Sequence, residues 1–266
     1  MADRLAGTAG GRLSPALHPV VGIDVVDLSD PRSGGKAADT RFVERIFASE
    51  ERRWIEGAEQ PDVALWSLWG AKEAAFKALS ALRGRAPVFR HRAFETTLET
   101  PPREGGGFAS GLVSYEGDSV PVVVGVEGDC ILALGWPEVA DGAGAPPRDT
   151  AWGIGKLGAL TAAFAVGGLE LDELRRRRFS EAEARAIHSR PSALARLAAR
   201  AALSTWMRLD EPRITIVCAE GPTGRVPPRV HVDGAPSLEA GVSLSHHGMW
   251  TGWAVRATRA GSVGRS

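Results

Sequence analysis

The stretch Trp69-Gly-Ala-Lys-Glu-Ala-Ala-Phe-Lys77 decides the fold, because it predicts a long helix with a charged face. Ala, Lys and Glu favour helix, and no Pro or further Gly interrupts the next three turns. Glu73 and Lys77 are four residues apart, so their side chains leave the helix on the same side. We therefore expect a helix over 62–82, with Asp62 as its N-cap.

A second segment, Gly22-Ile-Asp24, opens a strand that we predict over Val20–Leu28. This strand is apolar except for Asp24 and Asp27, which alternation points to opposite faces. A buried carboxylate is costly unless it is paired or binds a metal. With Glu73, Asp24 would supply two acidic groups on rigid elements beside a lysine, as a magnesium–phosphate site requires. A salt-bridged aspartate and a simple helical ion pair of Glu73 are the alternatives.

The bulk composition excludes several classes of protein. The chain has 266 residues, 44% hydrophobic and 24% charged, with 32 basic against 32 acidic residues. This balance gives no general attraction to nucleic acid or membrane, and we expect neither as a partner. Cys130 and Cys218 form no CxxC pair, no apolar run is long enough to span a membrane, and residues 1–19 carry no secretory signal. We therefore expect a cytoplasmic protein.

The chain divides into two copies of one plan. Residues 140–150 are rich in Gly and Pro and predict a linker between lobes at 17–139 and 151–258, with tails at 1–16 and 259–266. The fold class we predict is α+β, a pseudo-twofold pair of homologous lobes, each with a long helix packed on a small antiparallel sheet. The predicted helices cover 41–56, 62–82, 180–188 (capped by Ser180 and Glu183) and 192–208; the predicted strands cover 20–28, 86–100, 110–116, 121–127, 130–136, 151–160, 213–219, 229–232, 241–245 and 250–256.

Aligning the two copies shows a complementary loss of polar residues. The second copy lacks both acids, whereas the first lacks the histidine of Ser243-Leu-Ser-His246. Such a loss is expected if one site lies between two homologous lobes and only one of two equivalent interfaces is kept. The aligned pairs are Glu73 with Arg200, Asp24 with Gly155, and His246 with Val126.

These motifs, taken together and in this order, resemble the 4'-phosphopantetheinyl transferases. The resemblance implies that the protein moves 4'-phosphopantetheine from coenzyme A to a serine of an apo acyl or peptidyl carrier protein, releasing 3',5'-ADP with Mg²⁺. The larger surfactin-type members fuse two lobes, and this chain carries the corresponding lobes in the opposite order. A monomer with both lobes in one chain is expected. The alternatives are a non-catalytic coenzyme A-binding scaffold and a Mg²⁺-dependent diphosphate hydrolase.

The resemblance also assigns roles to residues of the first lobe. Asp24 and Glu73 would bind the metal, with Asp27 as a further metal or supporting group. Glu73 would in addition take the proton of the carrier serine, directly or through a water. Lys77 would contact phosphate, and Lys72 is either a phosphate contact or a solvated surface lysine. Trp66 and Trp69 flank this motif and are expected in the core.

In the second lobe the resemblance assigns coenzyme A binding to Ser245, His246 and Arg225. Arg225 follows Gly in a Pro-rich turn and could equally be a solvated loop residue, and His247 stands where the family usually has serine. Two basic clusters remain. Residues 175–178 form a solvated helix end or a 3'-phosphate contact. The arginines on the helix after the metal strand are the expected docking surface for an acidic carrier: Arg41, Arg45, Arg52 and Arg53.

Overall fold

The structure is a computed structural model, which describes residues 19–137, 145–221 and 224–257. The first lobe contains the following elements: β1 (Gly22–Asp27), α1 (Thr40–Ile46), α2 (Ser49–Glu56), α3 (Pro61–Arg83), β2 (Glu95–Leu98), β3 (Ala109–Tyr115), β4 (Asp118–Glu127) and β5 (Cys130–Gly135). Short 3-10 helices lie at Lys36–Ala38 and His91–Ala93.

The second lobe follows in the same chain. Its elements are β6 (Thr150–Lys156), α4 (Leu157–Ala163), α5 (Leu171–Arg178), α6 (Glu181–Ala184), α7 (Arg190–Met207), β7 (Ile214–Val217), β8 (Glu220–Gly221), β9 (Gly224–Arg225), β10 (Arg229–Val232), β11 (Ala235–Pro236), β12 (Ala240–His247) and β13 (Trp250–Ala257), with a 3-10 helix at Glu211–Arg213.

The first lobe is an antiparallel five-stranded sheet in the order β1-β5-β4-β3-β2, with α3 packed on one face. Strand β1 lies at the edge of this sheet and runs directly beneath α3. Gly22 permits that approach, because a Cβ there would lie 1.9 Å from the carbonyl oxygen of Ala74. The glycine before Ile-Asp therefore sets the distance between the strand that carries Asp24 and the helix that carries Glu73.

The second lobe repeats this strand order in two smaller sheets. Strands β6, β13 and β12 correspond to β1, β5 and β4, while β10 and β7 correspond to β3 and β2. Helix α7 packs on β12 and β13 through a core that includes Leu203, Val242 and Val255. The predicted α+β class and the packing of a long helix on an antiparallel sheet in each lobe are confirmed.

Each lobe also buries one ion pair in the same place. In the first, Glu51 at the start of α2 pairs with Lys72 of α3 and accepts a hydrogen bond from the backbone of Thr96 on β2. In the second, Glu183 at the start of α6 lies 3.7 Å from Arg200 of α7 and accepts from the backbone of β7. This repeat corrects the alignment of the copies, since it places Arg200 opposite Lys72 and not opposite Glu73.

The strand hairpins refine the same comparison. The turns that close β4–β5 and β12–β13 superimpose Val126 on His246, as predicted from the sequence. They place Gly153, two residues before the expected Gly155, opposite Asp24. Asp24 still has no acidic counterpart in the second lobe, so the complementary loss stands.

The lobes pack sheet against sheet. The face of the first sheet that points away from α3 is covered by strands β6 and β13, through a shared core that includes Ile23, Val25, Leu132 and Trp250. The layers therefore run α3, first sheet, second sheet, α7. Because alternate residues of β1 face α3 and the second lobe, Asp24 and the shared core lie on opposite faces of one strand.

Several element boundaries differ from the sequence-based expectation. The helix expected over 41–56 is two helices, because Phe47 is extended and fully buried between them. The N-cap of α3 is Gln60, since the carboxylate of Asp62 accepts hydrogen bonds from Gly35 and Ala37 instead. The strand expected over 151–160 ends at Lys156 and continues as α4, and the short α6 keeps the predicted Ser180–Glu183 capping box.

The linker prediction falls partly outside the described residues, at 138–144. Beyond it, Asp149 forms a bidentate ion pair with Arg256 of β13, which ties the start of the second lobe to its last strand. Among the described helices, none has the length and apolarity that a membrane span needs.

Candidate active site between the lobes

A cavity of about 440 Å³ lies where β1 and α3 of the first lobe meet β12 of the second. A larger cavity of about 560 Å³ beside Gln60 and Arg103 contains none of the predicted site residues. The smaller cavity brings residues from all three predicted motifs together. Its lining is Asp24, Val25, Val26, Trp66, Trp69, Glu73, Lys77, Leu244, Ser245, His246 and His247.

Asp24 is buried at the floor of this cavity, with 7% of its surface exposed. One carboxylate oxygen, Oδ1, accepts a hydrogen bond from Lys77 Nζ at 2.7 Å and another from Ser245 Oγ at 2.8 Å. Within the described ranges, no hydrogen bond reaches Oδ2. The carboxylate is thus held through Oδ1, by one partner from each lobe.

Glu73 lies on α3 and lines the same cavity as Asp24, whose negative charge acts on it. Burial, and then the negative charge of Asp24, raise the pKa of Glu73 to about 7, against a smaller opposing effect of Lys77. A carboxyl group with this pKa can both bind and release a proton near neutral pH. The two acids line the same cavity and repel each other, and a cation bound there would relieve this repulsion.

Lys77 connects the strand to the helix at the same point. Its Nζ donates to the carbonyl of Ile23 at 2.9 Å as well as to Asp24. Asp24 therefore does form a salt bridge, as one of the two predictions for it stated. This salt bridge uses Oδ1, and no hydrogen bond within the described residues reaches Oδ2. Since the ammonium group has three donors and uses two here, one remains for a ligand in the cavity.

His246 is the most solvent-exposed of the second-lobe residues that line the cavity. Partial desolvation, and then the charges of Lys77 and Arg196, lower the pKa of His246. Trp66 and Trp69 contribute aromatic rings to the lining of the cavity. Trp66 is 8% exposed and donates from its indole to Ser33, so it belongs to the core, as expected, while still lining the cavity.

Lys72 requires a correction. It is fully buried and does not line the cavity; its Nζ pairs with Glu51 and donates to the carbonyls of His91 and Phe94. Neither expected environment, a phosphate contact or the solvated surface, matches this position. Three acceptors already use the three donors of the ammonium group, so Lys72 stabilises the first lobe and holds the segment of α3 next to Glu73.

Asp27 lies outside the cavity, on the opposite face of β1 as alternation predicted. Its Oδ1 accepts from the backbone and hydroxyl of Ser29, and its Oδ2 accepts from the backbone of Met249 in the β12–β13 turn. Gly248 in this turn has φ +54° and would place a Cβ 2.2 Å from Asp27 Oδ2. Asp27 therefore joins the lobes, and both of its oxygens are engaged outside the cavity, which does not fit the expected role of a metal ligand.

Arg225 lies on β9, paired with Glu220 on β8, and its side chain lies outside the described residues. The basic run 175–178 ends α5 away from the cavity: Arg175 donates to the carbonyl of Ala184, and Arg178 donates to that of Phe164. The structure therefore brings together the acids, Lys77, Ser245 and His246, and it leaves the basic run outside.

The sequence did not reveal the contribution of His247. Its Nδ1 accepts a hydrogen bond from the backbone N–H of Asp27 at 3.0 Å, so it also joins the two lobes. The signal for this role was present, because His247 continues the alternation of Ser243 and Ser245 along one strand face. A side chain that can accept a hydrogen bond recurs at every second position there.

The donor set fits Mg²⁺. This ion is typically held by one or two carboxylates, with waters and substrate phosphates completing its coordination. Asp24 and Glu73 provide two carboxylates at one cavity, Lys77 lies beside them, and the cavity is open enough for a diphosphate. Burial, and after it the negative charge of Asp24, raise the pKa of Glu73, so a cation bound between the two carboxylates would offset both effects.

A comparison with known proteins finds a family match over the part of the chain that holds the two acids. Residues 20–111 match the family model of the 4'-phosphopantetheinyl transferase superfamily. The match confirms the predicted resemblance to the superfamily over the segment that holds Asp24 and Glu73. No curated protein sequence matches the chain.

Two solved structures are similar to parts of the chain. One is the holo-(acyl-carrier-protein) synthase of Thermotoga maritima, with 19% identity and a TM-score of 0.33, covering 52% of this chain and 68% of that one. The other is the holo-(acyl-carrier-protein) synthase of Neisseria meningitidis, with 20% identity and a TM-score of 0.32, covering 44% of this chain and 94% of that one.

Proposed function

We propose that this protein transfers 4'-phosphopantetheine from coenzyme A to a serine of an apo acyl or peptidyl carrier protein, in a Mg²⁺-dependent reaction. The observation that supports this most strongly is the meeting of Asp24, Glu73, Lys77 and His246 at one cavity between two lobes. These residues come from the three sequence segments that carry the resemblance to the superfamily. Coenzyme A would lie across the lobe interface, with its diphosphate at the two acids.

The reaction requires a new bond between the serine oxygen and the β-phosphorus, and cleavage of the bond from that phosphorus to 3',5'-ADP. Glu73 takes the serine proton directly or through a water. Lys77 contributes positive charge beside Asp24, where the transferred phosphoryl group would gather negative charge. When bound, Mg²⁺ would neutralise the diphosphate and hold it at Asp24 and Glu73.

His246 would bind phosphate oxygens of coenzyme A from the second lobe. Without a ligand, desolvation and nearby cations lower its pKa. A phosphate placed beside the ring acts in the opposite direction, because a neighbouring anion favours the imidazolium. His246 would therefore become protonated when the ligand binds, and its charged contact to phosphate would exist only in the complex.

The carrier protein would dock on α1. Arg41 and Arg45 are exposed, and in the described part of the chain neither forms an ion pair, whereas Arg52 and Arg53 pair with Glu44 and Glu50. Phe42, between Arg41 and Arg45 in the sequence, lies under the guanidinium of Arg45 and stacks on Trp69, which lines the cavity. An acidic partner bound to Arg41 and Arg45 would thus be placed next to the reaction cavity.

The two lobes would work within one polypeptide, as a monomer, in the order opposite to that of the surfactin-type enzymes. The alternatives are a coenzyme A-binding scaffold and a Mg²⁺-dependent diphosphate hydrolase. A scaffold has no need of a buried Asp24 and a half-buried Glu73 whose charges repel each other, since removing one acid would stabilise it. A hydrolase would release phosphopantetheine into water when no carrier is present.

Substitution of the acids tests this proposal. Asp24→Ala and Glu73→Gln should each leave a folded protein and abolish transfer to an apo carrier. Alanine removes a metal ligand, and the amide of glutamine neither binds Mg²⁺ well nor takes a proton. The matched control is Glu56→Gln, an exposed helical position. A Glu73→Gln rate above about a tenth of the wild-type rate, a loss below ~1.4 kcal/mol, would contradict the role given to Glu73.

A further inference from the structure

The free edge of β1 is closed by side chains of the second lobe instead of by another strand. Three backbone N–H groups of β1, at alternate positions, donate to three alternate side chains of β12. Ile23 N lies 3.0 Å from Ser243 Oγ, Val25 N lies 3.3 Å from Ser245 Oγ, and Asp27 N lies 3.0 Å from His247 Nδ1.

This arrangement resolves a general problem of sheet edges. Buried N–H groups are costly when they have no acceptor, and β1 is the outermost strand of its sheet. The three acceptors match the three donors in steps of two residues on both strands. Sliding one lobe past the other by a single residue would leave every donor opposite an apolar or outward-pointing side chain.

Of the three acceptors, Ser245 is the one that also contacts a carboxylate of the cavity. Ser245 Oγ also donates to Asp24 Oδ1 at 2.8 Å, and its hydroxyl has only one hydrogen to give. Because Val25 N–H already points at this oxygen, the hydrogen must be directed to the carboxylate. Ser243, one step along the same face, caps an equivalent N–H and contacts no acid of the site.

We infer that Ser245 is a positioning residue through which the second lobe orients the metal-binding carboxylate of the first. With Lys77, it fixes Asp24 by Oδ1 and so directs Oδ2 at the cavity. The inference rests on the proposed function, in which Asp24 binds Mg²⁺. It differs from the sequence-based expectation for Ser245, which was a direct contact to coenzyme A.

The test compares Ser245→Ala with Ser243→Ala, two variants that each remove one cap from β1. Mn²⁺ binding is measured by electron paramagnetic resonance without coenzyme A, and coenzyme A binding is measured by calorimetry without metal. Ser245→Ala should weaken Mn²⁺ binding about tenfold or more, as loss of a partner of a ligating carboxylate does. Ser243→Ala should change it by less than about twofold, and Ser245→Thr, which keeps the hydroxyl, should restore it.

Both alanine variants should lose similar stability in urea unfolding, which shows that the difference in metal binding is not a general loosening. Equal Mn²⁺ affinities for Ser245→Ala and Ser243→Ala would overturn the inference, as would a Ser245→Ala defect confined to metal-free coenzyme A binding. If the wild type transfers phosphopantetheine but Ser245→Ala leaves Mn²⁺ binding unchanged, the inference about Ser245 fails and the proposed function stands. Protein that binds Mn²⁺ in this Ser245-dependent way but transfers nothing would overturn the proposed function alone.

Discussion

Removing the charge of Glu73 should stabilise the metal-free protein while it destroys activity. Burial and the charge of Asp24 raise the pKa of Glu73 from its ordinary 4.5 to about 7. Each pKa unit corresponds to ~1.4 kcal/mol, so the ionised Glu73 destabilises the folded protein by at most ~3 kcal/mol. Glutamine resembles the protonated acid in shape, cannot ionise and therefore avoids this cost.

The sign of the effect follows from proton binding. Because the folded protein holds the Glu73 proton up to a higher pH than the unfolded chain, this group's contribution to stability is greatest below pH 4.5. The contribution falls as the pH rises from 4.5 to 7 and is lost above pH 7. Glu73→Gln should therefore equal the wild type near pH 4.5 and exceed it by up to ~3 kcal/mol at pH 8.

The assay is urea unfolding in the presence of EDTA at these two pH values, with Glu56→Gln as the exposed control. Saturating Mg²⁺ at pH 8 should then stabilise the wild type but not Glu73→Gln, since the cation relieves the same repulsion and needs the same ligand. A Glu73→Gln protein that is less stable than the wild type at pH 8, or a difference that does not change with pH, would refute the coupling of the two acids.

Three further outcomes are expected. Lys72→Met should cost about 3–5 kcal/mol in urea unfolding, because it leaves Glu51 charged and buried, and adding Glu51→Gln should recover part of this; a loss under ~1 kcal/mol would contradict the buried pair. His246→Ala should raise the KM for coenzyme A more than it lowers kcat in steady-state kinetics, and the reverse would place His246 in the chemistry. Gly248→Ala should lower the thermal midpoint through its positive φ and its clash with Asp27, and an unchanged midpoint would contradict the turn.

The central part of the site was predictable because its geometry is local. Strand alternation separates Asp24 from Asp27, and the spacing of four residues puts Glu73 and Lys77 on one helix face. Sequence also indicated that two lobes had lost complementary residues, which suggested a site between them. The meeting of Asp24 with Ser245 could not be derived this way, because it depends on the register between two lobes.

Lys72 shows how adjacency in sequence can mislead. It precedes Glu73 by one residue, which turns its side chain about 100° around the helix. That direction coincides with the stripe formed by Leu68 and Leu79, both buried in the core. The helical period therefore already indicated an interior lysine, but its partner Glu51 lies on another helix, where no local pattern points to it.

The most direct test of the proposed function is to incubate the protein with coenzyme A, Mg²⁺ and an apo carrier protein, and to measure the intact mass of the carrier. We expect the carrier to gain one phosphopantetheine group on its serine, with release of 3',5'-ADP. No gain is expected without Mg²⁺ or with Asp24→Ala. A carrier of unchanged mass, in the presence of wild-type protein that binds coenzyme A and Mg²⁺, would contradict the account.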